Sequence, residues 1–188
     1  MEKQNKVRLL SAITPIVFLF LFTDLYAHEE FQARLFSGSG AGFQRDEKIA
    51  ITVDNYTSTE EVISLVQTFH KSGYKKFRTA LRKMKKGFLR PIGGRGMQVT
   101  LHAAQSTPTK KGRHVILVGE SQDWSMESHR RQDSRFPFLV IELDINEKGR
   151  GSGELYVAAN IRLTGQGTIE RSGYNTPPWQ LIGLAQLK

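Results

Sequence analysis

Acid–base or metal chemistry in a chain without cysteine falls to histidine and carboxylate, and the histidines stand at His28, His70, His102, His114 and His129. None has the i,i+4 helical spacing or the His-x-His strand spacing that turns two imidazoles toward one ion. His102 and His114 fall on neighbouring expected strands and meet only if register allows. His28 would head a processed chain, where its amine and imidazole could chelate copper, but one residue is a thin basis and neither metal nor cofactor is expected. Asp144 to Gly149 opens like a calcium loop and then fails: Lys148 stands at the fifth position and Leu155 at the twelfth, where a bidentate Glu is required. A hairpin turn accounts for it. The glycine run Ser37 to Gly42 is no phosphate cradle, because alternating Ile49, Ile51 and Val53 follow it instead of a helix N-terminus.

Carboxylates gather at Glu120, Asp123, Glu127 and Asp133, interleaved with Arg130, Arg131 and Arg135 and with Trp124 and Met126. At a barrel rim such a segment can line a ligand mouth. Glycoside hydrolysis needs two carboxyls about 5 to 9 Å apart, a separation that sequence spacing does not fix. A charged surface loop is the simpler account.

Polyanion binding has the most concentrated signal. Between Lys71 and Arg95 stand ten lysines and arginines and no acid, on a chain of net charge +9. Without the leader described below, the remainder of the chain sums to about −2, so the basic character is local. The candidate anion-binding residues are Lys75, Lys76, Arg78, Arg82, Lys83, Lys86 and Arg90. Two readings stay open. The stretch is either an electrostatic footprint for polysaccharide or lipid head groups, or the solvated side of an amphipathic helix. An ordinary exposed face mixes signs to gain i,i+4 pairs, and this one does not. Nucleic acid is disfavoured as a partner, since no aromatic platform accompanies the charge.

These side chains need elements to carry them. Residues 1–27 read as a signal peptide, with Lys3, Lys6 and Arg8 ahead of an apolar core that ends in Leu25-Tyr26-Ala27. The apolar run Leu9 to Phe22 is 14 residues long and contains Pro15, whereas a membrane span needs roughly 20. Export to the periplasm or beyond is the expectation, with no transmembrane segment in the mature chain. Residues 28–188 then form a single domain, whose core must hold without disulfides. Asn55-Tyr56-Thr57 is a formal glycosylation sequon, relevant only in a eukaryotic secretory pathway.

Strands are expected at Phe31 to Phe36 and Phe43 to Asp54. Ser58 and Glu61 form a capping box, after which Val62, Leu65, Val66 and Phe69 make a helical stripe that Gly73 ends. A second helix, Tyr74 to Lys86, sets Phe77, Ala80, Leu81 and Met84 opposite the basic residues. Beyond Arg90 everything reads as β. Phe136 to Ile145 divides into Phe138, Val140, Glu142 and Asp144 on one side and Leu139, Ile141, Leu143 and Ile145 on the other. Thr176-Pro177-Pro178 leads rigidly into a last strand from Trp179. The expected fold is α+β: a curled antiparallel β-sheet, barrel- or sandwich-like, of seven to eight strands with an inserted αα-hairpin.

Ile51-Thr52-Val53-Asp54-Asn55-Tyr56-Thr57-Ser58-Thr59-Glu60-Glu61-Val62, the two-helix segment and Arg135-Phe136-Pro137-Phe138-Leu139-Val140-Ile141-Glu142-Leu143 together resemble a group of exported bacterial proteins of unknown function. The resemblance implies a bacterial envelope setting and no particular chemistry. The expected function is non-enzymatic binding, of a small ligand inside the curl or of an anionic envelope component on the basic helix. One alternative is a hydrolase or isomerase whose acid and base, such as His102 with Glu120 or Glu142, converge inside the curl. Another is a purely structural or interaction domain.

Overall fold

The structure, a computed structural model, describes residues 28–36, 46–93, 98–124 and 135–187. The leader, the glycine run, Arg95, His129 and the loop residues Met126, Glu127, Arg130, Arg131 and Asp133 lie outside the described residues. Nine strands form one antiparallel sheet: β1 (Glu29–Phe36), β2 (Asp46–Val53), β3 (Gly87–Pro91), β4 (Val99–Thr109), β5 (Gly112–Glu120), β6 (Phe138–Asn146), β7 (Arg150–Leu163), β8 (Ile169–Tyr174) and β9 (Trp179–Leu187). The order β6-β5-β4-β3-β2-β1-β9-β7-β8 closes on itself because β6 also pairs with β7. The result is a closed eight-stranded barrel, with β8 as an additional strand along β7 beyond β9. Closure leaves the eight barrel strands without a free edge.

Alternation decides which side chains face inward. Phe31 and Leu35 of β1, Ile49, Ile51 and Val53 of β2, Leu139, Ile141 and Leu143 of β6 and Leu155 of β7 join one internal cluster. Each of these is fully shielded from solvent, at 0 % exposure. A side chain bordering a water-sized void would show some accessible surface, so the barrel is filled by its own Leu, Ile, Val and Phe. Two plugs close its ends. At one rim Arg113 lies 5.8 Å from the Phe31 ring centroid and donates to Glu29 (3.0 Å), Tyr56 (3.1 Å) and Gln186 (3.1 Å). At the other, Trp124 and Trp179 meet edge to face, 5.8 Å between ring centroids, against the same internal cluster.

Simple alternation fails at bulges. On β4, Leu101 faces Gly119 and Ala103 faces Val118, which makes His102 the extra residue. On β9, Gly183 (φ 66°) lets Leu181 and Leu184, three apart, both reach the interior.

Between β2 and β3 the chain leaves the sheet as α1 (Thr59–Lys83). Its start is the expected capping box: the Glu61 N–H donates to Ser58 Oγ at 3.3 Å, and the Ser58 N–H donates to the Glu61 carboxylate at 2.8 Å. The expected αα-hairpin is not shown; there is a single helical element, broken at Gly73 (φ 75°, ψ 178°). Its ends lie together, since Val53 pairs with Gly87. A straight helix of 25 residues would run about 37 Å, so the direction must change at the break. Val62, Leu65, Phe77 and Leu81 of α1 pack on the outside of the barrel against Ala103, Ile116, Val118, Phe138, Val140, Tyr156 and Ala159. The β7–β8 hairpin grips this layer from the side: Gln105 of β4 donates to the Gly167 carbonyl (2.7 Å) and accepts from the Ile169 N–H (2.8 Å).

Candidate anion-binding surface

The C-terminal arm of α1, after Gly73, turns Phe77 and Leu81 to the barrel and leaves Lys75, Lys76 and Lys83 exposed. Four of the seven candidate residues prove to be engaged with acids. Glu120, only 1 % exposed at the end of β5, accepts from Arg78 Nε at 3.1 Å to each oxygen and also from the Arg78 terminal nitrogen. Arg82 Nε stands 3.4 Å from the same carboxylate. Lys86 is buried, with Nζ 2.8 Å from both Glu61 oxygens and 3.3 Å from the Tyr56 carbonyl oxygen. Arg90 reaches Glu30 at 3.9 Å. Arg78 and Lys86 fasten the helical layer to the barrel. Local sequence carries no sign of this, because their partners lie 42 and 25 residues away.

The other three, Lys75, Lys76 and Lys83, are exposed, as are Lys71 and Lys85. Their ammonium groups make no ion pair with any described residue. The charge run thus divides into a structural subset and an unpaired lysine set on the outer side of one arm.

The acid–base candidates do not converge inside the barrel. His102 Nδ1 donates to the Met84 carbonyl at 2.9 Å, tying off the end of α1. Glu120 is held by the two arginines. Glu142 accepts from Arg171 at 3.1 and 3.2 Å on the outer side of the wall, where the guanidinium lies over Tyr156, 3.9 Å from its ring centroid. Thr107, not His102, lies opposite His114, which instead pairs with Asp144 at 2.9 Å. His28 meets Asp54 at 3.3 Å on an exposed surface. Among the described residues no three His, Asp or Glu gather as a metal site would need. The Asp144 to Gly149 segment is a hairpin turn in which Asn146 Oδ1 accepts from the Lys148 and Arg150 N–H groups.

Two phenols are shifted strongly. Burial, then hydrogen bonding to Glu29, pushes the Tyr56 hydroxyl well above its ordinary value of 10.0. Burial, then hydrogen bonding to Glu154, does the same to Tyr156. Both stay protonated in the native state and act as donors to carboxylates. An open hollow of about 410 Å³ lies at the rim beside the β4–β5 turn, lined by Thr109, Lys110, Lys111, Arg113, Asp144, Ile145 and Asn146. The carboxylate in its lining, Asp144, is the one paired with His114.

Compared with protein-family models, curated proteins and solved structures, the chain matches none. What defines the molecule is its own geometry: a closed, filled antiparallel barrel with a helical layer whose outer arm is basic.

Proposed function

We propose that this is an exported, non-enzymatic binding domain of the bacterial envelope that attaches to an anionic surface through the lysines of the outer arm of α1. One observation carries this reading: Lys71, Lys75, Lys76, Lys83 and Lys85 remain exposed and form no ion pair among the described residues, while their arginine neighbours are taken up by acids. Desolvating an unpaired ammonium is repaid only by an opposite charge, and several in one patch favour a partner with repeated anions. The signal-like leader and the resemblance to exported bacterial proteins support the envelope setting. A filled interior argues against a ligand inside the barrel, and the separation of His102, Glu120 and Glu142 leaves an acid–base enzyme without an anchor.

The test is retention on heparin with elution by salt. The triple variant Lys75→Gln, Lys76→Gln, Lys83→Gln is expected to elute at clearly lower salt than the unaltered protein. The charge-matched variant Lys110→Gln, Lys111→Gln, Lys148→Gln, altered on exposed hairpin turns at the rim of the Arg113 plug, is expected to elute close to it. Elution of the first variant at unchanged salt overturns the proposal.

A further inference from the structure

Phe69 and Tyr74 do not behave as the rest of the helical stripes do. Phe69 continues the stripe of Val62 and Leu65, yet it is 46 % exposed, and Tyr74 is 44 % exposed. They stand on either side of Gly73, where the helix breaks. Both rings rest on the buried root of Phe77, at centroid separations of 6.0 and 5.9 Å, and Phe69 also meets the His70 ring edge to face at 5.8 Å. A Cβ built on Gly73 would have no atom within 4 Å, so the break projects into open space. Lys71, Lys75 and Lys76 surround it, all exposed. Glu120, the carboxylate that acts on Tyr74, is occupied by Arg78 and Arg82.

Resting on the anionic-surface reading above, we infer that this tip docks the protein onto an anionic lipid surface, with Phe69 and Tyr74 entering the interfacial layer and the lysines contacting the head groups. Lipid fits both halves of the feature. A polysaccharide would neutralise the lysines and could stack a sugar face on one ring, whereas the head-group and acyl boundary accepts both rings together a few ångströms below the charges. Tyr74 suits the same depth, with its ring in the apolar layer and its hydroxyl at the water side. No helix among the described residues is long and apolar enough to cross a membrane. The contact is peripheral, made by the exposed corner of α1 at Gly73.

Co-sedimentation of the full chain with phosphatidylglycerol-containing vesicles, and with purely phosphatidylcholine vesicles, tests the inference. Capture by the anionic vesicles and not by the neutral ones is expected. Phe69→Ser with Tyr74→Ser should weaken capture about tenfold, from the lost burial of two rings, with retention on heparin unchanged. Each ring is a little under half exposed, and an unchanged thermal melt confirms that the variant folds. As an independent readout, Phe69→Trp should give a blue-shifted emission with anionic vesicles that brominated acyl chains quench. Equal capture of the double serine variant and the unaltered protein, or equal capture by neutral and anionic vesicles, overturns the lipid inference. Heparin retention without any vesicle capture also overturns it and leaves the anionic-surface reading standing. A lysine variant with unaltered heparin elution instead removes the reading on which both rest.

Discussion

Glu120 shows what a single buried charge demands. A carboxylate 1 % exposed is tolerable only because Arg78 covers both of its oxygens and Arg82 stands close by. Removing the first cation while leaving the anion is the damaging change. Arg78→Ala is expected to lower unfolding stability by about 3 kcal/mol in urea titrations, whereas Arg78→Met with Glu120→Leu should recover most of that loss, because an apolar pair carries no desolvation penalty. Equal destabilisation by the two variants would mean that shape, not charge, holds the arm. Neither residue's role was legible in sequence. Arg78 looked like one more cation in a run of ten, and only the fold reveals that a glutamate from β5 consumes it.

At the scale of elements, legibility followed the regularity of local structure. The alternation in β6 separates Leu139, Ile141, Leu143 and Ile145 from Phe138 and Val140, and the structure turns the first set into the barrel and the second toward the helix. The capping box located the start of α1 because two short-range hydrogen bonds are written directly into Ser58 and Glu61. Strand β3 escaped notice, since Gly-Phe-Leu-Arg-Pro is five residues long and bracketed by two strand-averse types. Its pairing with β2 and β4 is a tertiary fact that bridges an otherwise open gap in the barrel. His102 reads as an acid–base candidate for a related reason: the bulge that turns it toward Met84 leaves no mark in the sequence. Gly73 was visible as a helix terminator but not as a projecting corner. Its φ of 75° with ψ of 178° is a conformation that L side chains avoid, and no neighbour crowds the site. Gly73→Ala should therefore destabilise by about 2 kcal/mol in urea melts, through backbone strain alone. No measurable change would show that the corner relaxes at little cost.

For the molecule as a whole, filling and charge are separated in space. The barrel interior holds aliphatic and aromatic side chains, and the polar networks sit at its rim or on its outer wall. Leu117 is fully buried in the internal cluster. Leu117→Ala is expected to lower stability by about 3 kcal/mol, measured by denaturant unfolding, through lost contacts and an unfilled void. A much smaller loss would indicate slack in the interior and reopen the question of an internal ligand. Composition announced a core and periodicity announced a sheet. Whether that sheet closed, and whether it closed on itself or around a cavity, depended on registers set between distant strands.

The strand that begins the described chain lies beside the one that ends it, Glu30 opposite Leu187. Eight-stranded closure thus waits on a contact between strands at opposite ends of the described residues, with all the other barrel strands lying between them in the chain. Entropy makes such a meeting slow, in the millisecond-to-second range typical of small β domains with distant pairings. Until the last strand arrives, β1 carries an unpaired edge and the apolar wall stays open. Time spent incomplete, rather than weakness once complete, is the vulnerable period in the life of this protein.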